Sequence, residues 1–209
     1  MDKIKIGEIK RQSLMLLFPE LELSAYENDS DSLNSLMDGL LCDPSIKSYL
    51  DSMAPAINRA LGKIELAGAQ KTEIKELNTA ELTPLAGGYY LDLDKIGAKT
   101  IKEIFKGRSK IPFSYSDKSG ALIYGEGNLK ILYKPKIKRI SQASDHGTEI
   151  NLPREVAEII PYFVKSELLL PENESESRLS LNEFEKSLAT FSDCLGAFEI
   201  NSVYSLSEV

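Results

Sequence analysis

The sequence predicts an α+β protein: a helical bundle built from the amino- and carboxy-terminal segments, with an antiparallel β-sandwich-like module inserted between them. Three observations predict it. Apolar residues recur at three- and four-residue steps in residues 1–67 and again in 151–195, which marks one buried face on a helix. Through residues 68–150 the period shortens to alternation and glycine-containing turns recur, as in a set of short strands. Charge follows nearly the same boundaries: residues 1–66 carry 7 Lys+Arg and 11 Asp+Glu, residues 67–150 carry 14 and 10, and residues 151–209 carry 4 and 11.

Ile6, Ile9, Leu16 and Leu17 share a face in a first helix over residues 6–18, ended by Pro19. The polar run 27–32 supplies a cap for a short helix over residues 33–41. Asp43-Pro44 opens the clearest helix, with an aspartate N-cap and proline at the first helical position. Its stripe is Ile46, Tyr49, Leu50, Met53, Ile57, Leu61 and Ile64. Pro55 lies about three turns in and is expected to kink or split it, because its ring clashes with the preceding turn.

Alternation then appears at residues 71–77 and 90–94, and β-rich, charge-studded runs at 99–106 and 128–138. Gly87-Gly88, Gly107-Arg108-Ser109, residues 117–120 and Gly125-Glu126-Gly127 read as turns, the last of them a hairpin. Leu152-Pro153 starts another helix with the face Val156, Ile159, Ile160, Phe163, Val164 and Leu168. Pro171-Glu172-Asn173-Glu174-Ser175 breaks it, and Leu181, Phe184, Leu188, Phe191 and Leu195 resume the period. Gly196 reads as a helix stop, leaving residues 196–209 as a tail.

Composition narrows the function classes. With 209 residues, 42% hydrophobic and 27% charged, the chain can bury a core of one or two domains. No apolar run approaches the ~18 residues of a membrane span. The first residues lack a signal peptide's apolar core, so synthesis in a reducing cytosol is expected. Cys42 and Cys194 read as buried small hydrophobes.

The chemistry-bearing types are sparse. His146 is the only histidine, which rules out a Cys/His zinc set or His-x-x-x-His within one chain. There is no Gly-x-Ser-x-Gly elbow and no phosphate-binding Gly-x-x-x-x-Gly-Lys-Ser/Thr. Asp92 and Asp94 would share one face of a strand and could hold a metal, but a solvated strand end explains them better. Lys130, Lys134, Lys136, Lys138 and Arg139 form the densest basic run, and on one strand the four lysines share a face. That face has three readings: phosphate contact with DNA, an edge strand guarded by lysines, or an interface to an acidic neighbour. If copies meet basic face to acidic face, the contact is head-to-tail and can close into a ring. Reversing Lys134, Lys136 and Lys138 would then block assembly and leave the subunit folded.

Residues 148–188 carry a resemblance. Leu152-Pro153-Arg154-Glu155 opens a helix, Pro161-Tyr162 follows within it, an acidic turn comes next, and the last helix bears Phe184-Glu185. This order is similar to the carboxy-terminal part of the head-to-tail adaptor (connector, or head-completion) proteins of tailed bacteriophages. Ile6-Gly7-Glu8-Ile9-Lys10-Arg11 resembles their first helix, and the likeness extends over most of residues 3–192. It implies a structural virion protein at the head–tail junction, assembled in the bacterial host cytoplasm. Identical subunits, typically twelve, would form a ring docked on the portal protein. The ring would extend the DNA channel and offer a platform to the tail or stopper protein. No catalysis, cofactor or membrane is expected, and DNA passing through the channel is a possible non-specific contact. Family tails commonly reach the portal, and Phe198, Ile200, Val203, Tyr204 and Leu206 would either make that contact or fold back on their own subunit. The alternative is a DNA-associated regulatory or packaging protein using the basic sheet face; an enzyme built on Asp92 and Asp94 is a distant third.

Overall fold

The computed structural model describes residues 3–21, 23, 30–116, 119–142 and 146–207, with the side chains of 30, 33 and 193–207 outside that description. In chain order the first elements are α1 (Ile6–Leu17), α2 (Ser30–Leu40), α3 (Pro44–Ala67), β1 (Glu73–Asn78), β2 (Thr83–Leu85), β3 (Gly88–Asp92) and α4 (Leu93–Ile96). Then come β4 (Ala98–Lys106), β5 (Ser109–Lys110), β6 (Phe113–Tyr115), β7 (Gly120–Ile123) and β8 (Asn128–Pro135). α5 (Arg154–Ala157), α6 (Ile160–Leu169) and α7 (Glu174–Ser207) close the chain. The fold is α+β. It divides into a helical unit, residues 1–69 and 137–194, and a β unit, residues 70–136 with 195–209.

In the helical unit, Asp43 accepts the Ser45 N–H at 2.9 Å to start α3, and Gly68 ends it in the left-handed conformation at φ 69°. Ile46, Leu50, Met53, Ile57, Leu61 and Ile64 are all buried along it. Pro55 does not split α3, which is continuous over 24 residues. Pro55 is exposed, so the carbonyl that loses its N–H donor lies on the solvent side. The polar run expected to cap α2 lies largely outside the described residues. Cys42 is exposed rather than buried, because it falls in the short turn between α2 and the Asp43 cap; the Cys194 side chain lies outside the description.

The single helix expected from Pro153 is two. Pro161 occupies the first turn of α6 and α5 ends at Ala157, since proline is tolerated at a helix start and not in its interior. The apolar face survives the break: Val156, Ile159, Ile160, Phe163 and Val164 are buried. α6 packs against both α1 and α3. On α7 Phe184 is fully buried, with its ring 5.0 Å from that of Phe163. Gly196 does not stop α7, whose backbone stays helical to Ser207; one glycine costs a long helix only ~1 kcal/mol.

The β unit holds two four-stranded antiparallel sheets, in the orders β1-β8-β4-β5 and β2-β3-β7-β6. Leu91, Ala121 and Ile123 of one sheet and Ile101, Ile104 and Ile131 of the other belong to one core cluster. Tyr115 crosses between the sheets: its hydroxyl accepts the Ile101 N–H at 2.8 Å and donates to the Ile101 carbonyl at 3.1 Å. That satisfies part of the open edge of β4. Gly125-Glu126-Gly127 is not a hairpin turn, because β7 and β8 lie in different sheets. The module is also shorter than expected. Residues 137–150 belong to the helical unit, since side chains of α3 bind the backbone at Ile137 and Ile140.

Phe184→Ala removes a large core side chain and should destabilise the protein by ~3–5 kcal/mol in chemical denaturation. A loss below ~1 kcal/mol would mean that α7 is not docked through Phe184.

Candidate interaction surface

The five basic residues singled out in the sequence do not form one face. β8 ends at Pro135, so Lys136, Lys138 and Arg139 lie beyond the strand. Lys130 faces Glu76 directly across the β1–β8 pair, with Nζ 3.4 Å from Oε1. Lys134 is only 5% exposed and donates from Nζ to the Gln70 carbonyl at 2.7 Å. Lys136 is ion-paired with Asp94. Arg139 Nη2 lies 2.9 Å from Glu65 Oε2 in the helical unit, while Lys138 is exposed. The expected four-lysine surface is therefore corrected: one member is buried in the central strand and two are matched to carboxylates. A buried lysine needs a hydrogen-bond partner, and the Gln70 carbonyl provides it.

Neighbouring groups show the same use of polar residues to hold the fold. Tyr133, on the core face of β8, donates its hydroxyl to Glu73 at 2.8 Å. Burial first, and then the Glu73 hydrogen bond and charge, push the tyrosine up to about 12, so it is a neutral donor at neutral pH. Asp92 and Asp94 do not share a strand face either. Asp92 caps α4 by accepting the Asp94 N–H at 2.9 Å, and Asp94 pairs with Lys136. His146 sits in a turn whose carbonyl accepts the Gly7 N–H at 2.8 Å. The side chains of Phe198, Ile200, Val203, Tyr204 and Leu206, expected to reach a partner, lie outside the described residues.

Among the described residues a concentrated exposed basic surface lies elsewhere, on β4 and β5. Lys99, Lys102, Lys106, Arg108 and Lys110 are all exposed over twelve residues, with Glu103 the one acidic residue among them. The β4–β8 register slips between Ala98 and Thr100 and between Ile101 and Glu103. Lys99 and Lys102 are thus the extra residues of two β-bulges, a device that re-aims side chains. At the tip Lys106 pairs with Ser109, and Gly107 takes φ 57° at the first position of the two-residue turn. Only glycine adopts that angle freely, and Arg108 is left projecting beside it. Lys110 Nζ lies 2.6 Å from Glu103 Oε1. The signal was present in the sequence: Ala98, Ile101 and Ile104, all buried, are spaced by three rather than two, as a doubly bulged strand requires.

The second sheet presents the opposite character. Thr83, Tyr90, Leu122 and Ser114 form one cross-strand row of its outer face, with Leu85, Gly88 and Tyr124 beside them; none of these is charged. Ser114 Oγ and Tyr124 OH are 2.8 Å apart. A shallow groove of about 450 Å³ runs past Leu85, Gly88, Tyr89, Tyr124 and Glu126. Gly88 is obligatory there, since a Cβ would stand 2.5 Å from the Ile123 carbonyl oxygen.

Among the described residues, no group of three or more His, Cys, Asp or Glu side chains is placed to hold a metal ion, and no helix is long and apolar enough to cross a membrane. Comparison with protein-family models gives no match for this chain, and comparison with curated proteins gives none either.

The placement of Lys134 reverses an expectation. Lys134→Glu should destabilise the protein by about 3 kcal/mol or more, because it removes a buried charge-assisted hydrogen bond and buries a carboxylate against a carbonyl oxygen. Lys138→Glu, at an exposed position, should stay within ~0.5 kcal/mol of wild type. Equal urea midpoints for the two variants would place Lys134 at the surface.

Proposed function

We propose that this chain is a head–tail adaptor of a tailed bacteriophage, a structural subunit that forms a ring on the portal and offers the next component a platform. One observation carries the reading. The two stretches that resemble adaptor proteins lie at opposite ends of the sequence, and they meet in the helical unit. Glu8 of the first stretch is 3% exposed, and its Oε1 lies 2.6 Å from Arg154 Nη2 of the second. Arg154 also holds Glu158, Nε to Oε1, at 2.9 Å; that bond and the Glu8 charge raise the guanidinium pKa further. Around this pair Ile6, Ile9, Leu152 and Ile160 are buried, so the shared residue pattern is the pattern of a core. A β unit inserted between such helices is the layout that the resemblance implies.

The alternative, a DNA-associated protein reading phosphates with a sheet of four lysines, loses the face on which it rested. Lys134 is buried, and Lys130 and Lys136 are matched to carboxylates.

The reading is tested by co-expression with the portal protein of the same phage genome and imaging of the purified complex. A ring of copies seated on the portal is expected. A portal that purifies bare at saturating amounts of the chain would overturn the reading.

A further inference from the structure

We infer that the β4–β5 hairpin is the surface by which one copy of this chain binds the helical unit of the next. The inference rests on the adaptor reading only in expecting that contact to close into a ring.

Residues 70–136 carry 12 Lys+Arg and 8 Asp+Glu, a net of +4, whereas the helical unit, residues 1–69 and 137–194, carries 13 and 22, a net of −9. Within the β unit the excess is concentrated on the bulged strand and hairpin, where Lys99, Lys102, Lys106 and Arg108 are exposed. Both bulges and the Gly107 turn spend backbone irregularity on presenting these side chains. A plain edge strand guarded by lysines needs neither.

The helical unit offers a matching surface at the α6–α7 corner. Glu172 and Glu174 are exposed there, and Glu176 is half-buried. Each already has intramolecular partners: Tyr49 OH donates to Glu172 at 2.7 Å, Arg178 lies 2.5 Å from Glu174, and Glu176 accepts from Asn173 at 3.2 Å and lies 2.5 Å from Lys165. A carboxylate has about four acceptor sites, so capacity remains for an incoming guanidinium. Leu170, 56% exposed in the same turn, adds an apolar contact beside the charges.

Duplex DNA is the less favoured occupant. A chain of net charge −7 repels a polyanion overall, whereas a second copy brings the complementary charge with it. Because the donor and acceptor surfaces are different patches, copies can join head-to-tail, and such heterologous contacts propagate into rings or filaments. Complementary charge also speeds encounter and fixes register.

The test uses two full-length variants, both checked for native circular dichroism and urea midpoint. One carries Lys106→Glu and Arg108→Glu; the other carries Glu172→Lys and Glu174→Lys. Self-association is followed by sedimentation velocity at low and high salt. Each variant alone should associate on the order of tenfold or more weakly than wild type, since like charges face each other at every contact. An equimolar mixture should recover association, because each hairpin then meets an opposite corner. Failure of the wild type to self-associate at low salt would overturn the inference, as would wild-type behaviour of either variant alone or no recovery on mixing. If the hairpin reversal abolishes binding to a duplex oligonucleotide and leaves self-association intact, the hairpin is a DNA contact instead. Portal capture is a separate readout: its loss with self-association intact would remove the adaptor reading and spare the hairpin contact.

Discussion

The helical unit depends on a polar rail along α3. Asp51, Asn58 and Glu65 are spaced by seven residues and so stand on one side of the helix, and each grips the chain as it leaves the β unit. Asn58 donates from Nδ2 to the Ile140 carbonyl at 2.7 Å and accepts the Ile140 N–H at 2.9 Å, as a neighbouring strand would. Glu65 accepts the Ile137 N–H at 3.2 Å and Arg139 at 2.9 Å, and Asp51 accepts from Gln142 Nε2 at 2.8 Å. A typical hydrogen bond contributes only ~0.5–1.5 kcal/mol net, but a buried backbone group left unsatisfied costs ~1–3 kcal/mol. The rail therefore decides where residues 137–142 lie. Ile137 and Ile140 are buried as a consequence.

The following residues extend that seam to the start of the chain. Ile6 donates its N–H to the Thr148 carbonyl at 2.9 Å, Gly7 to that of His146 at 2.8 Å, and Ile150 to that of Ile4 at 3.0 Å. The open N–H groups at the start of α1 are thus partly met by the returning chain, as a helix end requires. Glu8 and Arg154 then lock α1 to α5. The insertion of a β unit is tolerated because both ends of the insert leave from one helix. α3 delivers the chain into the insert after Gly68, and its side chains receive it back at Ile137.

Much of this was legible in the sequence, and the exceptions have physical causes. The Asp43-Pro44 start, the Gly68 end and the stripe of α3 followed from local capping chemistry and period. The core role of Phe184 followed from spacing alone. The basic run from Lys130 to Arg139 misled because alternation reports which side chains share a face only while the chain remains a strand. Pro135 ends β8, and the next residues are claimed by an asparagine and a glutamate more than seventy positions earlier, which no local period can reveal. Asp92 and Asp94 misled for a related reason, as a helix cap and a strand end share the same residue types. The two bulges of β4 were visible as a three-residue apolar spacing, but a period-two template discards that signal.

The most direct test of this account is residue-resolved amide hydrogen exchange of the native protein. The amides of Ile137 and Ile140, which donate to the side chains of Glu65 and Asn58 on α3, should exchange in the same cooperative opening as the buried middle of α3 and far more slowly than Arg108 at the hairpin tip. Exchange of both amides at loop rates while α3 remains protected would contradict the claim that the rail fixes the returning chain.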